Sequence, residues 1–359
     1  MNIIPVILAG GVGERFWPLS RRGRPKQVLA IISKRPMIEE TIIRARTVCG
    51  KDVRPLIVTG RAMAPHILRC LPKNLRCDNI IEPAGKNTAP AIAAAAAVIR
   101  KKFGDALMLV LPADHAVSTT AQFASAVRQA AAIAAGDRLC VFGIRPSRPD
   151  TGYGYIQAGE KFQAGGTLPS FIVRRFVEKP AAAVARKYCA SGYYYWNSGM
   201  FLWKASVILE EIAAHMPDLH QHVAALTARP ITAARLDAFY RRCPAQSIDF
   251  GVMEKSARVI MVCPEFRWDD VGSWEALERI HGRNEHATTH VGERIFDGGC
   301  AGSIVVNTSK LTVAACGLKD TVVAATDDAV LVVSRDKIPL MKQYLAAMKS
   351  AKGLPRQIF

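Results

Sequence analysis

Paired cysteines are missing from this chain. Its nine cysteines are spread singly from Cys49 to Cys316, and no C-x-x-C spacing occurs. An odd, scattered set supplies neither a disulfide frame nor a structural zinc site, and it fits a reducing, cytoplasmic setting. Long apolar runs are missing too. No uninterrupted stretch nears the ~20 residues of a membrane-spanning helix. The longest, Ala89–Ile99, is short and Ala-rich and reads as a buried helix. No basic segment precedes the first apolar run, so neither a secretory signal nor a membrane partner is expected.

Acidic residues are few: 30 Asp and Glu stand against 48 Lys and Arg, a formal net charge of +18. Such an excess suits phosphorylated substrates, anionic surfaces or nucleic acid. The cations are scattered, however, with local density only at Arg21, Arg22, Arg24, Lys26, Lys34 and Arg35. With no basic amphipathic helix and no interleaved aromatic–basic array, no nucleic-acid partner is expected. Two common phosphate loops are also absent. No Gly-Lys-Ser/Thr follows the N-terminal glycines, and the third glycine of a dinucleotide fingerprint would fall at Phe16.

What the N-terminus does hold is a buried-strand pattern, Ile3–Leu8, broken abruptly by Ala9-Gly10-Gly11-Val12-Gly13. Glycines let a backbone approach a ligand closely, and exposed amides in such a loop form an anion-binding concavity. Arg15 and Lys26 stand beside it, where a plain turn would need neither.

With 359 residues, half of them hydrophobic, the chain is expected to form one large domain and one small one. Strand-like runs at Leu56–Thr59, Ile80–Ile81, Ala106–Leu111 and Leu139–Gly143 alternate with helical patterns near Ala64–Leu71, Thr88–Lys101 and Ala121–Ala135. Alternation of this kind predicts an α/β fold with a mostly parallel sheet flanked by helices. Ligands in such sheets sit at the carboxyl ends of strands, which gathers Ala9–Lys26, Glu82–Thr88 and Pro112–His115 on one rim.

The middle of the chain is aromatic and irregular. Tyr and Trp there are read mainly as packing, while the embedded Glu178, Lys179, Asn197 and Ser198 are suited to a polyhydroxylated ligand. Helical patterns return at Ala205–His215 and Ala233–Arg242. A polar stretch, Arg283–Glu293, marks a boundary. Short strands at Ser303–Asn307, Leu311–Ala315, Thr321–Ala325 and Ala329–Ser334 then predict a small β-unit of coils or hairpins, closed by a helix over Ile338–Lys349. The domains expected are 1–283 and 284–359.

Taken in order, the motifs resemble the mannose-1-phosphate guanylyltransferases within the sugar nucleotidyltransferases. The residues that carry this are LAGGVGERFWPLSRRGRPKQ (Leu8–Gln27), EPAGKNTAPAI (Glu82–Ile92), LPADH (Leu111–His115), GYGYI (Gly152–Ile156) and VEKP (Val177–Pro180). WNSGMFLW (Trp196–Trp203), SIDFGVMEK (Ser247–Lys255) and WDDVGSW (Trp268–Trp274) complete the set. Each block is weak alone; the ordered series over roughly three quarters of the chain is specific.

The resemblance implies a Rossmann-like mixed, mainly parallel sheet (the nucleotide-diphospho-sugar transferase fold) with a short C-terminal β-helical domain. It also implies a reaction: GTP and α-D-mannose 1-phosphate give GDP-mannose and pyrophosphate with the aid of Mg²⁺ or another divalent cation. The tail is too short for the isomerase domain of longer bifunctional members, and that activity is not expected.

By resemblance, Arg15, Lys26 and Asp114 are catalytic. Leu8, Ala9, Gly10, Gly11, Gly13, Glu82, Asn87 and Thr88 bind nucleotide, Asn87 serving equally as a helix N-cap. Gly154, Glu178, Lys179, Asn197 and Gly199 bind sugar phosphate, although Glu178 and Asn197 would also serve as buried polar bracing. Asp114 and one acid of WDDVGSW bind metal. Family alignment favours Asp270, yet Asp269 is an additional acid, and neighbouring carboxylates on an extended backbone point to opposite sides, so only one should reach the metal. A homodimer is expected. The alternatives are a nucleotidyltransferase for another sugar 1-phosphate or nucleotide, and a non-catalytic nucleotide-sugar-sensing subunit.

Overall fold

The computed structural model describes residues 2–11, 13–163 and 165–359; Val12 of the glycine loop lies outside them. Its centre is a nine-stranded sheet. In spatial order the strands are Asp78–Glu82, Leu56–Gly60, Ile3–Ala9, Leu107–Pro112, Tyr194–Lys204, Leu139–Ile144, Val259–Val262, Ser170–Val177 and Tyr155–Lys161. The first four pair in parallel, as the strand–helix alternation predicts. The sheet becomes mixed where that alternation stops. Tyr194–Lys204 inserts antiparallel between Leu107–Pro112 and Leu139–Ile144, and the hairpin of Tyr155–Lys161 with Ser170–Val177 closes the far edge.

The uniformly apolar first strand is buried on both faces, as a central strand between helical layers must be. Ile4 and Val6 face a core built with the Thr88–Phe103 and Ala205–His215 helices. Ile7 and Ala9 face the opposite core, with Met37–Cys49 and Thr120–Ala134. The Ala-rich Thr88–Phe103 helix packs close because its residues are small. Asn87 Oδ1 caps its start by accepting from Thr88 N at 2.8 Å, and Arg100, Lys101 and Lys102 complement the dipole at its end.

After Gly282 the chain winds into stacked coils. Thr289–Gly292, Ile304–Asn307 and Thr321–Ala325 pair in parallel, as do Ile295–Gly298 and Val313–Cys316. Of the predicted β-rich runs, Val330–Ser334 folds back antiparallel on the stack. The strands Thr289–Gly292 and Ile295–Gly298 are additions to the sequence pattern; their alternation is too short and too polar to stand out. The closing helix starts later than its pattern suggests. Pro339 lies in a 3₁₀ segment, Arg335–Leu340, and the α-helix runs from Met341 to Ser350.

A third core ties the two ends of the chain together. Phe16, Trp17, Leu19 and Leu29 pack with Trp274, Ile304, Met341 and Leu345. Polar contacts reinforce this core. Trp17 Nε1 donates to the Ile358 carbonyl at 2.7 Å, and its ring stacks on Phe359. Arg21 forks onto both oxygens of Asp328, each at 2.6 Å, and this pairing draws the Asp328 carboxyl down to about 2. The segment that follows the glycine loop is therefore anchored by residues more than three hundred positions later.

Candidate active site

The glycine loop leaves the Ile3–Ala9 strand at its carboxyl end. Gln27 Nε2 donates to the carbonyls of Gly10 (2.8 Å) and Gly11 (3.1 Å) and fixes their orientation. Among the described residues the amides of Gly10, Gly11 and Gly13 have no hydrogen-bond partner, and Gly10 and Gly11 are exposed. Free amides on a loop that ends a strand are a ready anion cradle. Gly13 is required twice over: its φ is +75°, and any Cβ there would run into the Lys26 stem.

Lys26 is buried and held from two sides. Its Nζ donates to Asp114 Oδ2 at 2.9 Å and to the Asp270 carbonyl at 2.8 Å. A cavity of about 450 Å³ opens here, lined by Gly13, Arg15, Lys26, Asp114, His115 and Asp270 among others. Burial pushes the Asp114 carboxyl up, but the Lys26 charge and hydrogen bond outweigh it and hold Asp114 below its ordinary range. Burial lowers the His115 imidazole against the pull of Asp114 and Asp270. His115 Nδ1 accepts from Trp268 Nε1 at 3.1 Å, which places the proton of the neutral ring on Nε2.

The paired acids of WDDVGSW divide as an extended backbone requires. Trp268–Asp269 pairs with Ala116–Val117 in a short ribbon. Asp270, beyond its end, lines the same cavity as Lys26 and Asp114. Its Oδ1 accepts from the Tyr153 hydroxyl (2.8 Å) and from Gly272 N (3.0 Å). Burial, then the charges of Asp270 and Asp269, push the Tyr153 hydroxyl well up, so it remains a donor. Asp269 faces a second cavity of about 900 Å³ across the ribbon, where it is ion-paired with Arg279 at 2.5 Å. Arg15, exposed at the mouth of the first cavity, donates to the Gly272 carbonyl at 3.3 Å.

Asp114 and Asp270 fit a hard divalent cation. Both are carboxylates on one cavity, and among the described residues no group of three or more His, Cys, Asp or Glu surrounds a common point. Magnesium typically takes one or two carboxylates and completes its shell with water and phosphate oxygens.

The residues expected at the sugar form a second cluster. Asn197 N donates to the Gly154 carbonyl at 2.8 Å, and a side chain at 154 would strike the Glu178 carboxylate. Glu178 pairs with Lys179 at 3.3 Å. Asn197 Oδ1 accepts from Gly199 N at 3.0 Å, and its Nδ2 donates to Asp249 Oδ1 at 2.7 Å. Gly199 adjoins Pro112 and His115, which links this cluster to the Asp114 side. Bracing is thus one real role of Asn197, whose second N–H and second lone pair have no partner among the described residues.

The remaining nucleotide candidates are held structurally. Leu8 O accepts from Ala113 N, Ala9 O from the Thr59 hydroxyl, and Thr88 Oγ1 from Ile248 N. Glu82 is buried beside Tyr240; burial raises its carboxyl to about 7, with the Tyr240 hydroxyl drawing it back only in part. None of Leu8, Ala9, Glu82, Asn87 and Thr88 lines the Lys26 cavity.

Tyr153, His115, Gln27 and Asp249 stand inside the sequence motifs without a role assigned from sequence. An embedded polar residue in an apolar block is their signal, and Asp249 gives it most clearly, in SIDFGVMEK. Lys342, a further lining residue of the Lys26 cavity, has no signal at all.

A family model described as nucleotidyl transferase matches residues 4–287. The Xanthan biosynthesis protein XanB of Xanthomonas campestris pv. campestris is 41% identical over 360 residues, spanning 98% of this chain and 74% of the relative. A mannose-1-phosphate guanylyltransferase of Klebsiella pneumoniae is 38% identical, spanning 97% and 74%. Among solved structures, a Thermus thermophilus protein described as a mannose-1-phosphate geranyltransferase superposes with a TM-score of 0.88 at 33% identity, covering 98% of this chain and all of that one. With these likenesses and a shared nucleotide-diphospho-sugar transferase fold, the chain belongs to the nucleotidyl transferase family.

Proposed function

We propose that this enzyme transfers GMP from GTP to α-D-mannose 1-phosphate, giving GDP-mannose and pyrophosphate. The observation that carries the chemistry is the Lys26 ammonium, held between Asp114 and the Asp270 carbonyl beside the Gly10, Gly11 and Gly13 amides, which have no partner among the described residues. The choice of mannose and guanine is supported by the relatives' names and by the ordered motifs. The sugar-phosphate oxygen is already anionic, so no protein base or nucleophile is needed. It attacks the α-phosphorus in line; the new O–P bond forms as the α–β bridge breaks and pyrophosphate departs with the electron pair.

Catalysis then consists of positioning and charge stabilisation. The Gly10, Gly11 and Gly13 amides cradle the triphosphate. Arg15 neutralises the leaving group, and Lys26 presents a fixed charge to the reacting phosphates. Asp114 and Asp270 would hold a divalent cation, which would supply Lewis-acid neutralisation of phosphate charge. Glu178, Asn197 and the Gly154 backbone orient the mannose hydroxyls, and Lys179 meets its phosphate. Glu82, Asn87 and Thr88 border the guanine side.

In the same reading, residues 1–283 are the catalytic unit and 284–359 a β-helical unit. The chain pairs as a homodimer, for which exposed Val330 and Val332 on the outer strand offer apolar surface. Purified protein with MgCl₂, GTP and mannose 1-phosphate should release pyrophosphate and form GDP-mannose. Preference for UTP, dTTP or another sugar 1-phosphate in a competition panel would transfer the reading to a related nucleotidyltransferase, and no release with any pair would remove it. A monomeric mass in light scattering would remove the dimer.

A further inference from the structure

We propose that Lys342, on the last helix, is a polyphosphate-binding residue that completes the catalytic cavity from the C-terminal end of the chain. Lys342 lines the same cavity as Gly13, Arg15 and Lys26. It is exposed, and among the described residues it makes no hydrogen bond or ion pair. The other two cations there already have acceptors: Lys26 is held by Asp114 and the Asp270 carbonyl, and Arg15 by the Gly272 carbonyl. Lys342 is therefore the cavity cation with its full donor set available for a ligand.

Its position is fixed rather than incidental. The neighbouring Met341, together with Leu345 one turn on, is buried in the core that contains Phe16 and Trp17. Further along the same helix, Lys349 pairs with Glu14 at 3.3 Å. The helix is thus clamped to the segment just after the glycine loop, and Lys342 is presented on the glycine-loop side of the cavity. In the transfer reading, that is the side where the β- and γ-phosphates of a nucleoside triphosphate would meet the loop amides. Negative charge grows there as pyrophosphate leaves, so a preorganised ammonium favours both nucleotide binding and departure. The C-terminal unit then acts as part of the active centre as well as a covering for it. This inference rests on the nucleotidyl-transfer reading above.

The test compares Lys342→Ala, Lys342→Arg and the control Lys352→Ala, an exposed lysine outside the cavity lining, with the full-length wild type. Forward kinetics are run against GTP and mannose 1-phosphate and reverse kinetics against pyrophosphate, with Mg²⁺–GTP binding measured by calorimetry. Loss of one charge-assisted contact should raise the Lys342→Ala KM for GTP and for pyrophosphate and its Kd for GTP by roughly tenfold. The KM for mannose 1-phosphate and the thermal midpoint should stay unchanged, and Lys342→Arg should recover most of the loss. Active wild type with unaltered Lys342→Ala constants for GTP and pyrophosphate overturns the inference and leaves the transfer reading intact. So does an equal rise in KM for both substrates. Inactive wild type whose GTP binding still weakens in Lys342→Ala overturns the transfer reading and retains Lys342 as a nucleotide ligand.

Discussion

Lys26 Nζ reaches Asp114 Oδ2 at 2.9 Å, joining a 3₁₀ turn to the end of a strand 88 positions later. Both side chains are largely buried, so the pair is part of the packing as well as of the chemistry. Lys26→Met keeps the stem volume and removes the charge. Asp114 is then left as an uncompensated buried carboxylate, and breaking a buried pair in this way costs about 3 kcal/mol or more. Turnover should fall by roughly a hundredfold or more, the scale for losing one preorganised charge stabiliser. Urea unfolding and pyrophosphate release report the two effects separately. Wild-type turnover in this variant would exclude Lys26 from catalysis.

The separation of Asp269 from Asp270 makes a sharper comparison. Asp270→Asn should weaken Mg²⁺ activation and cut turnover, because it changes a carboxylate on the Lys26 cavity. Asp269→Asn should mainly lower stability, by about 1–3 kcal/mol, since it discharges the partner of Arg279 and weakens the bond to Val271 N. Mg²⁺ titrations of initial rate distinguish the two. A larger rise in the Mg²⁺ requirement for Asp269→Asn than for Asp270→Asn would reverse the assignment.

These two acids also show where the sequence stops being informative. Backbone alternation requires them to face opposite ways, but which one meets Asp114 depends on the pairing of Trp268–Asp269 with Ala116–Val117, a long-range register that no local pattern encodes. The parallel half of the sheet is legible because its strands are continuous apolar runs between helical periods. The antiparallel insertion of Tyr194–Lys204 is not, because its aromatic run carries no label for direction or neighbour. Glycines and cations close in sequence mark the loop proposed to hold phosphate. Lys342 stays hidden because only tertiary packing of the last helix brings it to that loop.

Glu82 gives the fold a specific dependence on pH. Burial raises its carboxyl from the ordinary 4.5 to about 7, and its Oε1 has no hydrogen-bond partner among the described residues. Between these two values the folded chain holds a proton that the unfolded chain has released, so stability falls as pH rises through this window and is level above it. The span corresponds to about 3 kcal/mol at most. Urea midpoints at pH 5 and pH 8 should therefore show a larger drop for wild type than for Glu82→Gln, which has no carboxyl to ionise. Equal drops would show that Glu82 ionises freely in the fold.

Asp249 should set the affinity for the sugar through Asn197. It accepts from Asn197 Nδ2 at 2.7 Å while Gly199 N donates to the other end of the same amide, so the Asn197 side chain is fixed at both ends. Burial raises the Asp249 carboxyl, with the nearby Glu178 charge adding to it and the Asn197 hydrogen bond opposing it. In Asp249→Ala the amide loses one anchor, and its remaining N–H and lone pair no longer point reliably at a ligand. KM for mannose 1-phosphate should rise about tenfold, the scale for one misdirected hydrogen-bonding group. KM for GTP should hold, because the glycine loop and its amides are untouched. Initial-rate grids over both substrates resolve the two constants, and equal increases in both would mean that Asp249 supports the fold at large rather than the sugar site.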